Sequence, residues 1–378
     1  MPPSTPPFRA EHVGSLLRPL ELRQAFRAFT DGRIGADDFR SIQDEAVRQV
    51  VERQQDVGLQ VVTDGEFRRK SYWAHFVEAV DGLDVAWSRF EFHDDASKRQ
   101  RFLAPVVTGP VRRTRAISGD EFDFLRSVSQ VTPKVTMPSP PTMHFWADPE
   151  APSAAGYVDT DAFFDDLTAV YRAELADLAA RGATYIQIDE VPLAMLCDPD
   201  LRGRLEADGE RPDVYVRRYV ELINACLADR PPGLTVGIHL CRGNFKGMWL
   251  ADGGYDYVAE GLFRDVAADA FFLEFDTERA GGFEPLAAIP DDTYVVLGLV
   301  STKTPVLEDV DTLLRRLEEA AEFVPLDRLA LSPQCGFAST VGGNPVTEDD
   351  QFAKLRRIVE VAVEVWGDPG PAGTNDVS

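Results

Sequence analysis

The chain has 378 residues, of which 44% are hydrophobic, and carries 63 Asp and Glu against 39 Lys and Arg for a formal charge of −24. That balance argues against nucleic acid or an anionic membrane surface as partner, because both are held by basic surfaces that displace counterions. No apolar stretch approaches the roughly 20 residues that cross a bilayer, and Met1-Pro2-Pro3-Ser4 lacks the basic start and apolar core of a leader. Four cysteines without framework spacing fit a reducing cytoplasm. The expected partners are therefore small molecules, with a homo-oligomer left open.

In chain order, strand-like apolar runs fall near residues 11–15, 59–65, 132–138, 184–190, 235–241, 270–275, 294–300 and 329–334, with amphipathic helical runs between most of them. The alternation predicts an α/β fold, a (β/α)8 TIM barrel formed as one catalytic domain over residues 8–366. Residues 74–131 break the alternation and are expected to form an insertion, with a hairpin near 103–113. Val306, Val310, Leu313, Leu314, Leu317 and Ala321 mark one later helix, and Phe352, Leu355, Val359, Ala362 and Trp366 the last. Thr347 and Asp350 form a capping pair before that last helix. The tails at 1–7 and 367–378 are expected to be mobile. A doubly wound sheet is the alternative, but no Gly-x-Gly-x-x-Gly follows a strand.

Barrel chemistry sits where strands end and helices begin. Val13-Gly14-Ser15, Asp64-Gly65-Glu66, Asp189-Glu190, His239-Leu240-Cys241, Glu274-Phe275-Asp276 and Cys335-Gly336 all end or follow an apolar run. In an extended strand residues i and i+2 share a face, so His239 and Cys241 can grip one ion. Glu274 and Cys335 complete a four-coordinate set, and two thiolates, an imidazole and a carboxylate suit Zn2+. Glu274, the oxygen ligand, is the one expected to yield to an incoming thiol. A free thiol is mostly protonated at neutral pH and a coordinated one is ionised, so the site reads as a generator of a thiolate nucleophile. Cys197 and Cys226 read as core residues.

These motifs, in this order and over about Glu11 to Trp366, resemble the catalytic half of cobalamin-independent methionine synthase, and most closely its short single-barrel relatives. The resemblance implies a zinc site at His239, Cys241, Glu274 and Cys335. It implies that Val13 and Ser15 meet the carboxylate of homocysteine, and that Glu66 and Asp189 take its ammonium. Ion pairing of Glu66 and Asp189 with Arg68 or Arg69 is the structural alternative. One departure is Val300, which stands where the long enzymes have a His proposed to protonate the leaving folate. Lys303, His12 and His144 are then the candidates for handling a leaving-group proton.

The leading expectation is a zinc-dependent thiol S-methyltransferase using homocysteine and a methyl donor. A transferase resembling the epoxyalkane:coenzyme M enzymes is the alternative within the superfamily, with Arg242, Arg279 and Lys303 available for a sulfonate. A barrel that binds zinc and thiol without turnover is the third reading.

Overall fold

The computed structural model describes residues 5–94, 96 and 98–368. Most of the expected mobile tails, 1–4 and 369–378, lies outside the described residues. Ten strands are assigned: β1 (Val61–Val62), β2 (Val80–His93), β3 (Arg99–Arg113), β4 (Thr132–Pro133), β5 (Val135–Pro138), β6 (Tyr185–Glu190), β7 (Thr235–Leu240), β8 (Ala270–Glu274), β9 (Tyr294–Val300) and β10 (Leu329–Pro333). Strands β5 to β10 form one parallel sheet in sequence order, and β1 pairs in parallel with β4. A parallel bridge from Ala10 to Leu331 joins the N-terminal segment to β10. The expected (β/α)8 barrel is thus the fold, with a strand position at or beside each apolar run read from the sequence.

The barrel interior follows the two-residue period of its strands. Tyr185, Ala270, Phe272, Val296 and Ala330 fill its lower part together with Phe8 and Val61. Above Phe272 the same face continues into Glu274, and on β7 it carries His239 beside Phe272 in register. A buried ion pair stands inside the ring, where the Lys134 ammonium donates to Glu11 at 3.0 Å and Tyr185 donates to the same carboxylate at 2.9 Å. The larger apolar core lies outside the ring, between sheet and helices. Cys197 and Cys226 are buried there, as expected.

Where one helix would normally connect the second and third barrel strands, this chain has the helix Ala74–Ala79, an antiparallel hairpin of β2 and β3, and the helix Gly119–Val128. The insertion is where the sequence placed it, but its hairpin is far larger than residues 103–113. The register slips between Asp81 and Leu83 and between Trp87 and Glu91, so the first arm has no clean alternation to read. The hairpin lies over the barrel mouth. His93 and Trp249 exchange backbone hydrogen bonds at 2.8 and 3.0 Å, and Phe90 stacks on Phe145 with centroids 4.9 Å apart.

Thr347 and Asp350 form the full capping box of the helix Glu348–Trp366. The preceding helix starts at Val310, not Val306, because Asp309 caps it by accepting from Thr312 at 3.0 Å; Val306 is left exposed.

Candidate active site

His239 and Cys241 sit at the end of β7 and Cys335 two residues beyond β10, and one ligand atom from each lies within 4.8 Å of the others. The two sulfurs are 3.2 Å apart, and all four cysteines of the chain are free. The His239 Nδ1 faces the Phe272 carbonyl at 3.3 Å, whereas its buried Nε2 has no hydrogen-bond partner. A buried polar atom without a partner is costly. A tetrahedral zinc takes sulfur at about 2.3 Å and nitrogen at about 2.0 Å, which sets its sulfurs about 3.8 Å apart, so the ion fits here if the two sulfurs part by roughly half an ångström. Hydrogen bonding from Cys241, together with His239, holds the Cys335 thiol well below its ordinary range.

Gly336 lets the chain leave Cys335 sharply. A Cβ at that position would lie 1.9 Å from Ser15 Oγ, so the segment after β10 packs directly against the Val13–Ser15 turn.

Glu274 is not in the converging group. Arg279 donates to its Oε1 at 2.7 Å and Lys303 donates to the same oxygen at 3.1 Å. Its Oε2 faces the backbone N–H of Arg242 at 3.5 Å. Burial alone would raise its pKa, but Lys303, Arg242 and Arg279 outweigh burial and bring it down to about 2. It is a fully ionised carboxylate, held by cations beside the His239, Cys241 and Cys335 group.

A cavity of about 370 Å³ opens over these residues, with Val13, Ser15, Glu66, Asp189, His239, Cys241 and Cys335 on its floor. Glu66 has a left-handed backbone, φ 60°, which a non-glycine residue rarely adopts. Asp64 helps fix that turn by accepting from the Glu66 N–H at 2.9 Å. Thr136 donates to Glu66 Oε1 at 2.8 Å, and Oε2 is buried without a partner. Arg69 comes no closer to Glu66 than 3.5 Å and spends its guanidinium on Glu121 at 2.7 Å. Arg68 pairs with Asp44. The ion-pair alternative therefore leaves Glu66 with an open oxygen. Gln187 donates to Asp189 Oδ1 at 2.7 Å. Burial raises Asp189, and the Glu66 charge adds to it against His239, to about 7.

The three candidates for proton handling are absent from the cavity wall. His12 is buried, and burial and Lys134 keep its pKa well below the usual value. His144 Nδ1 pairs with the Tyr219 hydroxyl at 2.8 Å. Lys303 is committed to Glu274 and to Asp276 at 3.8 Å. Arg242 donates to the Gly253 carbonyl at 2.8 Å and to Tyr255 at 2.9 Å.

Several contributors were missed in the sequence. Arg18 donates to the carbonyls of Ala338 at 2.9 Å and Glu66 at 2.7 Å, tying two site loops together. The cavity roof is aromatic, with Tyr72, Trp73, Trp87, Phe92, Phe102 and Trp146. The aromatic density of residues 87–102 was the one available signal, and it carries no register.

The family model described as "Cobalamin-independent synthase, Catalytic domain" matches residues 8–364. The uncharacterized protein YxjG of Bacillus subtilis is 40% identical over 96% of this chain and 95% of its own length. A methionine synthase of Pyrococcus abyssi is 25% identical over 86% of this chain and 84% of its own. Among solved structures, a putative vitamin-B12-independent methionine synthase from Listeria monocytogenes superposes with a TM-score of 0.76 at 32% identity. That match covers 96% of this chain and 99% of the other.

Proposed function

The chain belongs to the cobalamin-independent methionine synthase family, and from that premise we propose that residues 8–366 form one zinc-dependent barrel that methylates the sulfur of homocysteine. The observation that supports this most is the sharing of one cavity by two sets of groups. His239, Cys241 and Cys335 converge on one point, while Glu66 and Asp189, two carboxylates with room for a further partner, stand on the same floor. A zinc ion held by the first set would act as the Lewis acid that ionises an incoming thiol.

The remaining roles belong to the chain's own residues. Glu66 and Asp189 take the ammonium of the amino acid, and Ser15 with the Val13 backbone takes its carboxylate, which fixes the sulfur over the His239, Cys241 and Cys335 group. Such alignment is worth up to about 7–11 kcal/mol in well-oriented reactions. Glu274 would be the fourth donor to a bound zinc. Arg279 and Lys303 hold its carboxylate beside the group and would keep it there were a thiol to take its place, so Lys303 is a positioning residue and not an acid.

A coenzyme M-type thiol is less well served, because Arg242, Arg279 and Lys303 are all engaged elsewhere and a sulfonate has no use for two acids on the floor. The decisive experiment is calorimetric titration of homocysteine into the zinc-loaded protein in two buffers of different ionisation enthalpy. Release of about one proton per site near neutral pH is expected, and binding without proton release would overturn the thiolate reading.

A further inference from the structure

The cavity has two chemically distinct halves, and the methylation reading uses only the floor. The roof comes largely from the insertion, with Trp87, Phe92 and Phe102 on β2 and β3, closed by Trp146 and Phe245. Phe92 packs on Phe102 with centroids 4.9 Å apart and on Phe245 at 5.3 Å, and Phe102 meets Trp146 edge to face at 5.4 Å. Two of the roof's side-chain donors have no acceptor among the described residues. Trp146 is 2% exposed and its Nε1–H has no partner. Arg101 stacks on Trp87 at 4.9 Å. Its cross-strand neighbour Glu91 pairs instead with Arg99 at 4.0 Å, and among the described residues Arg101 makes no ion pair.

Aromatic walls bind quaternary and sulfonium cations through the ring quadrupole, and the exposed Arg101 guanidinium at the cavity rim is free to take an anion. Size narrows the choice further. At about 370 Å³ the cavity is at the small end of the roughly 300–1,000 Å³ range of small-molecule sites, and it must hold thiol and donor together. Proton supply narrows it again. Val300 ends β9 where it can donate nothing.

We propose that the methyl donor is a small zwitterionic onium compound, a methylated sulfonium or quaternary ammonium bearing a carboxylate, with its cation under the aromatic roof and its carboxylate on Arg101 and the Trp146 indole. The inference rests on the homocysteine reading of the floor. The transfer balances without an acid. The thiolate lone pair forms the new S–CH3 bond, the donor's bond from its positive centre to the same methyl breaks, and that electron pair leaves on a neutral thioether or tertiary amine. At the reacting centres an anionic sulfur and a cationic onium both become neutral, while the donor's carboxylate leaves with its charge unchanged.

The test has a kinetic and an equilibrium arm. The zinc-loaded full chain is given homocysteine with dimethylsulfoniopropionate, S-methylmethionine, glycine betaine, methylcobalamin or methyltetrahydrofolate, and methionine is counted by mass spectrometry. At least one carboxylated onium should exceed both large donors, and the reverse order would overturn the proposal. Calorimetry without thiol then measures dimethylsulfoniopropionate and carboxylate-free trimethylsulfonium on wild type, Arg101→Gln and Trp146→Phe. Arg101→Gln should weaken the carboxylated probe at least tenfold and leave trimethylsulfonium unchanged, with homocysteine binding intact. Trp146→Phe should show a smaller loss of the same kind. Equal affinity of wild type and both variants for the carboxylated probe would refute the roof site. Arg101-dependent onium binding in a protein that fails to bind homocysteine would remove the floor reading and leave the roof site standing.

Discussion

Glu66 and Asp189 are two buried acids aimed at one cavity, each spending one oxygen on a neutral donor of the protein. Such a pair is an expensive arrangement in an empty site and a favourable one around an ammonium. Glu66→Gln or Asp189→Asn should therefore weaken homocysteine by about 1.5–3 kcal/mol, the range for hydrogen bonds to charged groups, while metal content stays the same. Calorimetric titration measures the first and metal analysis the second. Unchanged affinity in both variants would point to a thiol without an amino group. The ligand set is checked separately: one zinc per chain in wild type, and loss of most of it in Cys241→Ser or Cys335→Ser, where a neutral hydroxyl replaces a thiolate. A full zinc complement in Cys335→Ser would remove that residue from the ion. The positions were legible in the sequence because each ends or follows an apolar run, where barrel chemistry gathers, while the roles of Glu66 and Asp189 came from the family resemblance. The engagement of Glu274 by Arg279 and Lys303 was not, since it depends on three loops whose approach no periodicity encodes.

At the level of elements, the β2–β3 hairpin decides what the barrel mouth can accept, and a bulge at its base sets its course. At Gly82 φ is 83°, and a Cβ there would lie 2.4 Å from the Pro110 carbonyl oxygen on the opposite arm. Gly82→Ala should misdirect the hairpin and leave the barrel folded. We expect faster amide exchange through residues 80–113, weaker binding at the aromatic roof, and homocysteine affinity close to wild type. Uniformly faster exchange across the barrel strands would show that the hairpin is not an independent unit. The strands β6 to β10 could be read from sequence because they are buried on both faces and run as continuous apolar stretches. The hairpin could not, because bulges interrupt its pairing and its aromatic side chains face a cavity that exists only once the barrel is built.

For the whole molecule, two opposed groups of carboxylates set the response to pH. Burial lifts Glu190 to about 7 despite the Leu193 N–H it accepts, and Asp189 to about 7 as well. A carboxyl whose folded pKa lies above its unfolded value binds its proton more tightly in the folded state, so its stabilising contribution is complete below about pH 4 and is lost as pH rises through about 7. Glu274, brought down to about 2, acts in the opposite sense but only below the unfolded carboxylate range. Thermal stability of the metal-free protein should therefore fall between about pH 5 and pH 7.5, and Glu190→Gln should flatten that slope; an equal slope in the variant would discount Glu190. The way the ring closes has a different consequence, one of timing. The Arg9 guanidinium donates to the Leu329 carbonyl across 320 positions of sequence, and Leu331 exchanges backbone hydrogen bonds with Arg9 and Glu11. At a synthesis rate of roughly 5–20 residues per second, the first strand leaves the ribosome tens of seconds before its partner exists. During that interval β10's neighbour-to-be is an open edge, and Phe8 has no finished floor to plug. The nascent chain is thus obliged to wait for its own last strand, and the ribosome, more than any local propensity, decides when the barrel can close.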